Sequence, residues 1–397
     1  METHSLEAAR ALIAASSHAL PPERIPLAEA RGRVLRESVA ALEDFPAFDR
    51  SAFDGYAVRS ADCPATLQVV DETPAGAVSE RVLGPGESAR IFTGAALPAD
   101  ADAVAMQENC RRDGDLVEVS AIREWEGVRR RGEDAAAGTV LLHRGQKLGA
   151  IETSLLAQLG HTRPLVGTVP RIFHITTGSE LVAPDETPAP GQIRNSNSTL
   201  IAGLAAELGA PLAAQCRAGD TLDALLFAIA SQPEFAWDVL LISGGASVGD
   251  YDFGARALTE CGFSIHFTQL NLRPGKPLIF ATRGRQLAFV IPGNPLSHFV
   301  CWHVAIRAAL EMLISGETAL PLFTIATAAA LPGNPRETWW PARLAIADGK
   351  ATAQPLKWRS SGDMTGISTA DLLLRIPGGS TGIAIGGIVE AMRTAPI

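Results

Sequence analysis

The sequence predicts a multidomain protein in which a mostly parallel α/β sheet is joined to all-β parts and a short helical N-terminal part. Three observations predict it. The chain has 397 residues, too many for one ordinary core, so two to four domains are expected. Between residues 171 and 315 strand-like apolar runs alternate with helical periodicity, the pattern of a parallel sheet wrapped by helices. At 45–131, and again from 320 to the end, short β-like runs are separated by Gly, Pro and Asp, as in small all-β domains.

The elements follow in order. Residues 5–20 carry apolar residues at helical spacing (Leu6, Ala9, Ile13), and Pro21-Pro22 is expected to stop that helix. Strands are expected at 67–70, 89–92, 103–106 and 116–119. A strand at 139–142, a helix at 150–159 and a stop at Gly160 come next. This piece is expected to pack with the N-terminal helix, which makes the β part an insertion. The α/β part holds strands at 172–176, 212–216, 239–242, 278–281 and 287–291. Its helices are expected at 199–208, 221–230, 254–261 and 296–314. Residues 183–191, with three prolines, read as a surface loop. Runs at 323–326, 342–346, 372–376 and 388–392 suggest a small β-barrel. The expected domains are therefore 1–43 with 138–168, the inserted 44–137, the α/β part 169–318 and the barrel 319–397.

Composition removes several function classes. The hydrophobic fraction of 47% and charged fraction of 19% fit a globular protein. A net charge of −9 argues against general nucleic-acid affinity, so any bound anion needs a local basic pocket. Cys63, Cys110, Cys216, Cys261 and Cys301 are odd in number and lack CxxC spacing, which speaks for reduced thiols in a cytoplasmic protein. The eight histidines show no metal-ligand spacing. No signal peptide and no membrane segment are expected.

The most informative stretch is 240–253, LLISGGASVGDYDF. A buried strand ends at Ser243-Gly244-Gly245, Ser247 and Gly249 follow, and then Asp250 and Asp252. A loop after a parallel strand lies at the carboxyl edge of the sheet, where ligands bind. Two readings stand for it. It is a Gly-rich turn with solvated acids, or a loop whose N–H groups hold a phosphate and whose carboxylates hold Mg²⁺. Glu180 and Asp220 follow other strands of the same sheet, and Arg273 and Lys276 (NLRPGKP) and Pro292, Gly293, Asn294 and Ser297 (PGNPLS) flank the last two. Carboxylates with cations suit a nucleotide or phosphate with a metal. Against this, Asp220, Asn294 and Ser297 have a plainer reading as helix caps, and Glu180 as a solvated acid. In the β part, Asp49 to Ala57 packs two acids, a Ser and a Gly into one short piece, with a plainer reading as a loop with an Asp-Gly turn, and Arg129-Arg130-Arg131 reads as a solvated face or the wall of an anion site.

Taken together the pieces resemble the molybdopterin molybdenumtransferase family, to which the C-terminal part of gephyrin belongs. They are FDRSAFDGYAV (48–58), RIFTGAALPADADAVAMQE (90–108), RRRGEDAAAG (129–138), TTGSEL (176–181), SGGASVGDYDF (243–253), RPGKP (273–277) and IPGNPLS (291–297). The resemblance covers about the first four-fifths of the chain; the tail from 320 matches loosely, as the family's barrel. It implies an α/β domain of molybdopterin adenylyltransferase type and a homodimer with its site between subunits. The implied reaction joins molybdate to adenylylated molybdopterin, giving molybdenum cofactor and AMP, with Mg²⁺. The family's functional carboxylates fall on Asp54, Asp134, Glu180, Asp220 and Asp252, its cations on Arg273 and Lys276, and a barrel serine on Ser361. The metal set is Asp220, Asp250 and Asp252. Ser243, Gly244, Gly245, Ser247, Gly249, Arg273, Pro292, Gly293, Asn294, Ser297 and Ser361 form the ligand-holding set. Arg50 stands for a usual Asn, Phe53 for Met, Ser179 for Asp and Arg273 for Lys.

Two other functions compete. A molybdopterin adenylyltransferase would need only the α/β part, and a non-catalytic scaffold would need none of the five carboxylates. Expected partners are a second copy, a molybdopterin adenylyltransferase, and molybdoenzyme apoproteins or their chaperones.

Overall fold

Val239–Ser243 is buried at every residue. Leu241 faces one apolar cluster, while Leu240 and Ile242 face another. Side chains of a strand alternate between faces, so a run that is apolar throughout needs both faces covered. The sheet around it runs in the order Leu212–Ala218, Ile172–Thr177, Val239–Ser243, Gln286–Ile291, Ile279–Arg283, Ser264–Phe267. Its first three pairings are parallel and the last two antiparallel. The edge strand Ser264–Phe267 was not expected. Only Phe267 of its four residues is buried, so its apolar signal is weak.

The structure is a computed structural model that describes residues 3–233, 236–245 and 253–394. Helices Asn197–Leu208, Leu222–Ala230 and Phe253–Glu260 connect the strands. The expected helix at 296–314 is Pro295–Cys301, a π-helical turn at Trp302–Ile306, and Arg307–Ser315.

Two compact units divide the described chain. Glu37–Gln146 and Ala150–Thr162 form one, and the remaining described residues the other. The N-terminal helix is Leu6–Ser16, shorter than expected. Ser17 is buried and extended, and the Leu20 N–H bonds the Leu313 carbonyl at 2.8 Å, so tertiary pairing ends the helix before Pro21. Its stripe of Leu6, Ala9 and Ile13 lies in the cluster with Leu310 and Leu313. It therefore packs on the α/β part.

The tail closes into a five-stranded barrel. Glu337–Ala347, Lys350–Pro355, Leu322–Thr327, Ile388–Arg393 and Leu372–Ile376 pair in a ring, around Ile325, Ala342, Ala353, Leu374 and Val389. Lys350–Pro355 was missed, since its KATAQP sequence is barely apolar. Asp348-Gly349, both at positive φ, form the tight turn before it, a hairpin signal legible in the sequence.

The smaller unit holds a six-stranded sheet, in the order Ala103–Met106, Gly55–Val58, Glu87–Ile91, Ala65–Thr73, Leu116–Val119, Arg111–Asp113. Gly55, whose plainer reading is an Asp-Gly turn, opens the interior strand Gly55–Val58, buried at all four residues. A Cβ at Gly55 would collide with the Ala105 carbonyl, so this glycine serves close strand approach and not a turn.

Candidate active site at the carboxyl edge of the sheet

The loop after Val239–Ser243 starts with two left-handed glycines, Gly244 at φ +95° and Gly245 at φ +70°. A Cβ on Gly244 would lie 2.5 Å from Thr177 Oγ1 and 2.9 Å from the Thr177 carbonyl oxygen. Only glycine meets both demands. The Gly244 N–H bonds the Ile291 carbonyl at 2.9 Å, and the Gly254 N–H bonds the Gly245 carbonyl at 3.3 Å. Ser247, Gly249, Asp250 and Asp252 lie outside the described residues.

Beside this loop is a cavity of about 300 Å³ lined by Thr177, Ser179, Asp220, Thr221, Gly245 and Phe253. Asp220 is exposed, and its Oδ2 accepts the Ser179 backbone N–H at 2.6 Å. It is not the helix cap. Thr221 is, its Oγ1 accepting the Ala224 N–H at 3.2 Å. A cap must directly precede the first helical residue, which Asp220 does not. One Asp220 oxygen therefore ties two loops together and the other has no hydrogen-bond partner among the described residues. Glu180 is exposed one residue beyond Ser179.

The cations differ from one another. Gly275 has φ +103°, and a Cβ there would lie 2.5 Å from the buried Cys301 Sγ. Arg273 pairs through its backbone with Thr338 of the barrel, and its guanidinium carbon sits 5.2 Å from the centre of the Trp358 ring. That stacking holds the group in place. Lys276 is exposed and makes no ion pair among the described residues. Its carbonyl accepts the N–H groups of Leu270 and Leu278, so the backbone is fixed while the ammonium is free.

In the 292–297 loop, Pro292 is buried and Gly293 and Asn294 are exposed. Asn294 occupies the cap position of Pro295–Cys301 but its side chain makes no capping bond. Ser297 is buried inside the first turn, past any cap position. The cap readings of both therefore fail. The Leu296 N–H bonds the Ser361 carbonyl at 3.0 Å, which brings the barrel serine against this loop.

Ser243 differs from its expected role. It is 1% exposed, and its hydroxyl lies 2.7 Å from both His174 Nε2 and His298 Nε2. The side chain faces the interior and not the cavity. Burial pushes His174 down to about 3, with His298 adding to the effect, and His298 down to about 4. Both imidazoles are neutral. Order along the chain shows neither metal-ligand spacing nor a Ser/His/Asp arrangement for these histidines. The missed signal was His174 in the middle of an otherwise apolar strand, IFHITT.

In the smaller unit, Asp54 Oδ1 accepts the Thr93 backbone N–H and the Thr93 hydroxyl, each at 2.8 Å. The N–H first and the hydroxyl second hold its carboxyl below the usual carboxylate value. Arg50–Ser51 pairs antiparallel with Val128–Arg129, which brings the two motifs of this unit side by side. Arg129 bonds Asp134 at 2.5 Å and also pairs with Glu133, while Arg131 bonds Asp44 at 2.7 Å and donates its backbone N–H to the Asp49 carboxylate. The basic run is thus largely neutralised by its own neighbours, which favours its reading as a solvated structural face. Phe53 packs toward Trp125 and Val128.

The comparisons agree with this architecture. Residues 4–160 match the model "MoeA N-terminal region (domain I and II)", 174–312 match "Probable molybdopterin binding domain", and 324–393 match "MoeA C-terminal region (domain IV)". The molybdopterin molybdenumtransferase of Bacillus subtilis strain 168 is 32% identical over 384 residues, 93% of this chain and 89% of that one. That of Staphylococcus epidermidis is 29% identical over 380 residues, covering 93% and 90%. The crystal structure of the molybdopterin biosynthesis moeA protein of Pyrococcus horikoshii superposes with a TM-score of 0.84 at 28% identity, covering all of both chains. The fold, the sheet-edge loops and the match along nearly the whole length agree, and the chain belongs to the molybdopterin molybdenumtransferase family.

Proposed function

We propose that this protein is a transferase that inserts molybdenum into adenylylated molybdopterin, giving molybdenum cofactor and AMP with Mg²⁺. The observation that carries this reading is the mixture at one sheet edge. An ammonium with no ion pair among the described residues (Lys276) and a stacked guanidinium (Arg273) share that edge with an exposed carboxylate (Asp220) on a cavity beside left-handed glycines. Molybdate and the phosphoanhydride are both anionic, so bringing them together needs cations placed in advance. Lys276 and Arg273 hold oxyanions, and the loops at Gly244-Gly245 and 292–294 hold the rest of the ligand.

The donors fit Mg²⁺ in kind. Asp220 offers a free hard oxygen, the type Mg²⁺ prefers. Among the described residues no group of three metal-binding side chains stands together, so Asp220 would act with Asp250 and Asp252. Bound there, Mg²⁺ would neutralise charge on the phosphoanhydride.

We place the reaction in the cytoplasm, in keeping with five free thiols. No helix among the described residues is long and apolar enough to cross a membrane. A second copy completes the site and brings Asp54 and Asp134 to it. Light scattering should give a dimer; a fully active monomer would contradict this part.

The test is AMP release from adenylylated molybdopterin and molybdate. Turnover of Mg-ATP with unadenylylated molybdopterin would instead make the protein an adenylyltransferase. No turnover of either, with ligand still bound, would leave a scaffold.

A further inference from the structure

Five groups from four separated segments form one chain of hydrogen bonds whose His174–Ser243–His298 centre is buried. Gln215 Nε2 lies 2.8 Å from His174 Nδ1, His174 Nε2 2.7 Å from Ser243 Oγ, Ser243 Oγ 2.7 Å from His298 Nε2, and His298 Nδ1 3.1 Å from the Asn294 carbonyl. Both ends are pinned. An amide NH₂ can only donate, so His174 Nδ1 must accept. A carbonyl can only accept, so His298 Nδ1 must carry its proton. With neutral imidazoles one proton arrangement remains: His174 Nε2–H donates to Ser243, and the Ser243 hydroxyl donates to His298 Nε2. The two rings hold opposite tautomers, and the serine between them is at once acceptor and donor.

Sheet register makes this arrangement. Gln215 and His174 are direct partners in a parallel pair. Ser243 sits opposite Thr176, two residues beyond His174 and so on the same face. Gln215 also donates to the Ser198 carbonyl at 3.0 Å, which fixes its amide. At the far end the chain meets the 292–297 loop. The Asn294 carbonyl receives both the backbone N–H of His298 at 3.2 Å and its ring. The Gly293 carbonyl receives Asn197 Nδ2 at 2.8 Å. Consecutive peptide groups of the loop are held from inside, while the exposed Asn294 side chain makes no capping bond.

We propose that Ser243, His174 and His298 are positioning residues that clamp the 292–297 loop and aim Asn294 at the ligand, and that Ser243 does not itself touch the ligand. The role assigned to the loop rests on the function proposed above; the wiring does not.

The test uses the full-length protein with Ser243→Ala, Ser243→Thr and, at the exposed end, Gln215→Leu. Nitrogen NMR at pH 7 should show His174 protonated on Nε2 and His298 on Nδ1. In Ser243→Ala, amide exchange at 293–298 should rise about tenfold, and KM for adenylylated molybdopterin should rise about tenfold with kcat within about threefold, the size of one lost buried hydrogen bond. Ser243→Thr keeps the hydroxyl and should bring both back toward the parent. Gln215→Leu opens no core cavity and should free the His174 tautomer, with a smaller rise in exchange. Equal tautomers in the parent protein would overturn the wiring. Unchanged exchange and KM in Ser243→Ala, or a loss confined to kcat that Ser243→Thr does not rescue, would overturn the clamp. A parent protein with no AMP release would sink the proposed function, while the tautomer and exchange measurements would still decide the clamp.

Discussion

Replacing Lys276 by Ala separates folding from binding unusually cleanly. The ammonium is exposed and pairs with no acid among the described residues, so the folded state loses nothing by its removal. The two hydrogen bonds at residue 276 come from its carbonyl and survive in alanine. Stability should therefore change by less than about 0.5 kcal/mol. Binding should change much more. A charge-assisted hydrogen bond to an oxyanion is worth roughly 1.5–3 kcal/mol, so half-saturation by molybdate should rise roughly 10- to 150-fold. Arg273→Lys keeps its charge and loses the planar fork and part of its stacking on Trp358. That should cost about 0.5–1 kcal/mol, or roughly two- to fivefold. The assay is the initial rate of AMP release against molybdate at fixed adenylylated molybdopterin. If Lys276→Ala follows the parent curve and Arg273→Lys is the worse of the two, the anion sits elsewhere. Arg129–Arg131 or the barrel near Ser361 would then be the place to look.

Other outcomes are expected. Asp220→Asn keeps an acceptor for the Ser179 N–H but drops the charge, so the Mg²⁺ concentration giving half-maximal AMP release should rise more than about tenfold with melting unchanged. An unaltered Mg²⁺ titration would remove Asp220 from the metal set. Gly275→Ala combines a left-handed φ with a Cβ 2.5 Å from Cys301 Sγ, and urea titration should show a loss of about 3 kcal/mol. His303 is 4% exposed, neither ring nitrogen has a hydrogen-bond partner among the described residues, and burial, with Arg307 adding, pushes it down to about 3. Its folded value lies below its unfolded one, so its contribution is intact above about pH 6.5 and lost as pH falls toward 3. His303→Leu should spare about 2 kcal/mol of the stability the parent loses between pH 7.5 and 5, read from denaturant midpoints at the two pH values.

The inner strands of the α/β sheet were legible because burial on both faces writes itself as a continuous apolar run, as in Val239–Ser243. The ends of elements were less so. Leu6–Ser16 stops short of Pro21 because Leu20 bonds Leu313, a partner far along the chain. Asp54-Gly55 carries the local signal of a turn, whereas here the glycine is set by the Ala105 carbonyl of a neighbouring strand.

The sequence by itself determined most of the strands and helices of the α/β part, the family, and the identity of the candidate groups at the sheet edge. Those follow from periodicity and from residue types within short windows. Tertiary structure alone decided what each group faces. Ser243 turns inward to two histidines 69 and 55 positions away, Thr221 and not Asp220 caps the helix, and Arg273 leans on Trp358 while Lys276 stays free. The reason is register. A side chain's face is fixed by the alignment of strands distant in sequence, and a slip of one residue would reverse every one of them.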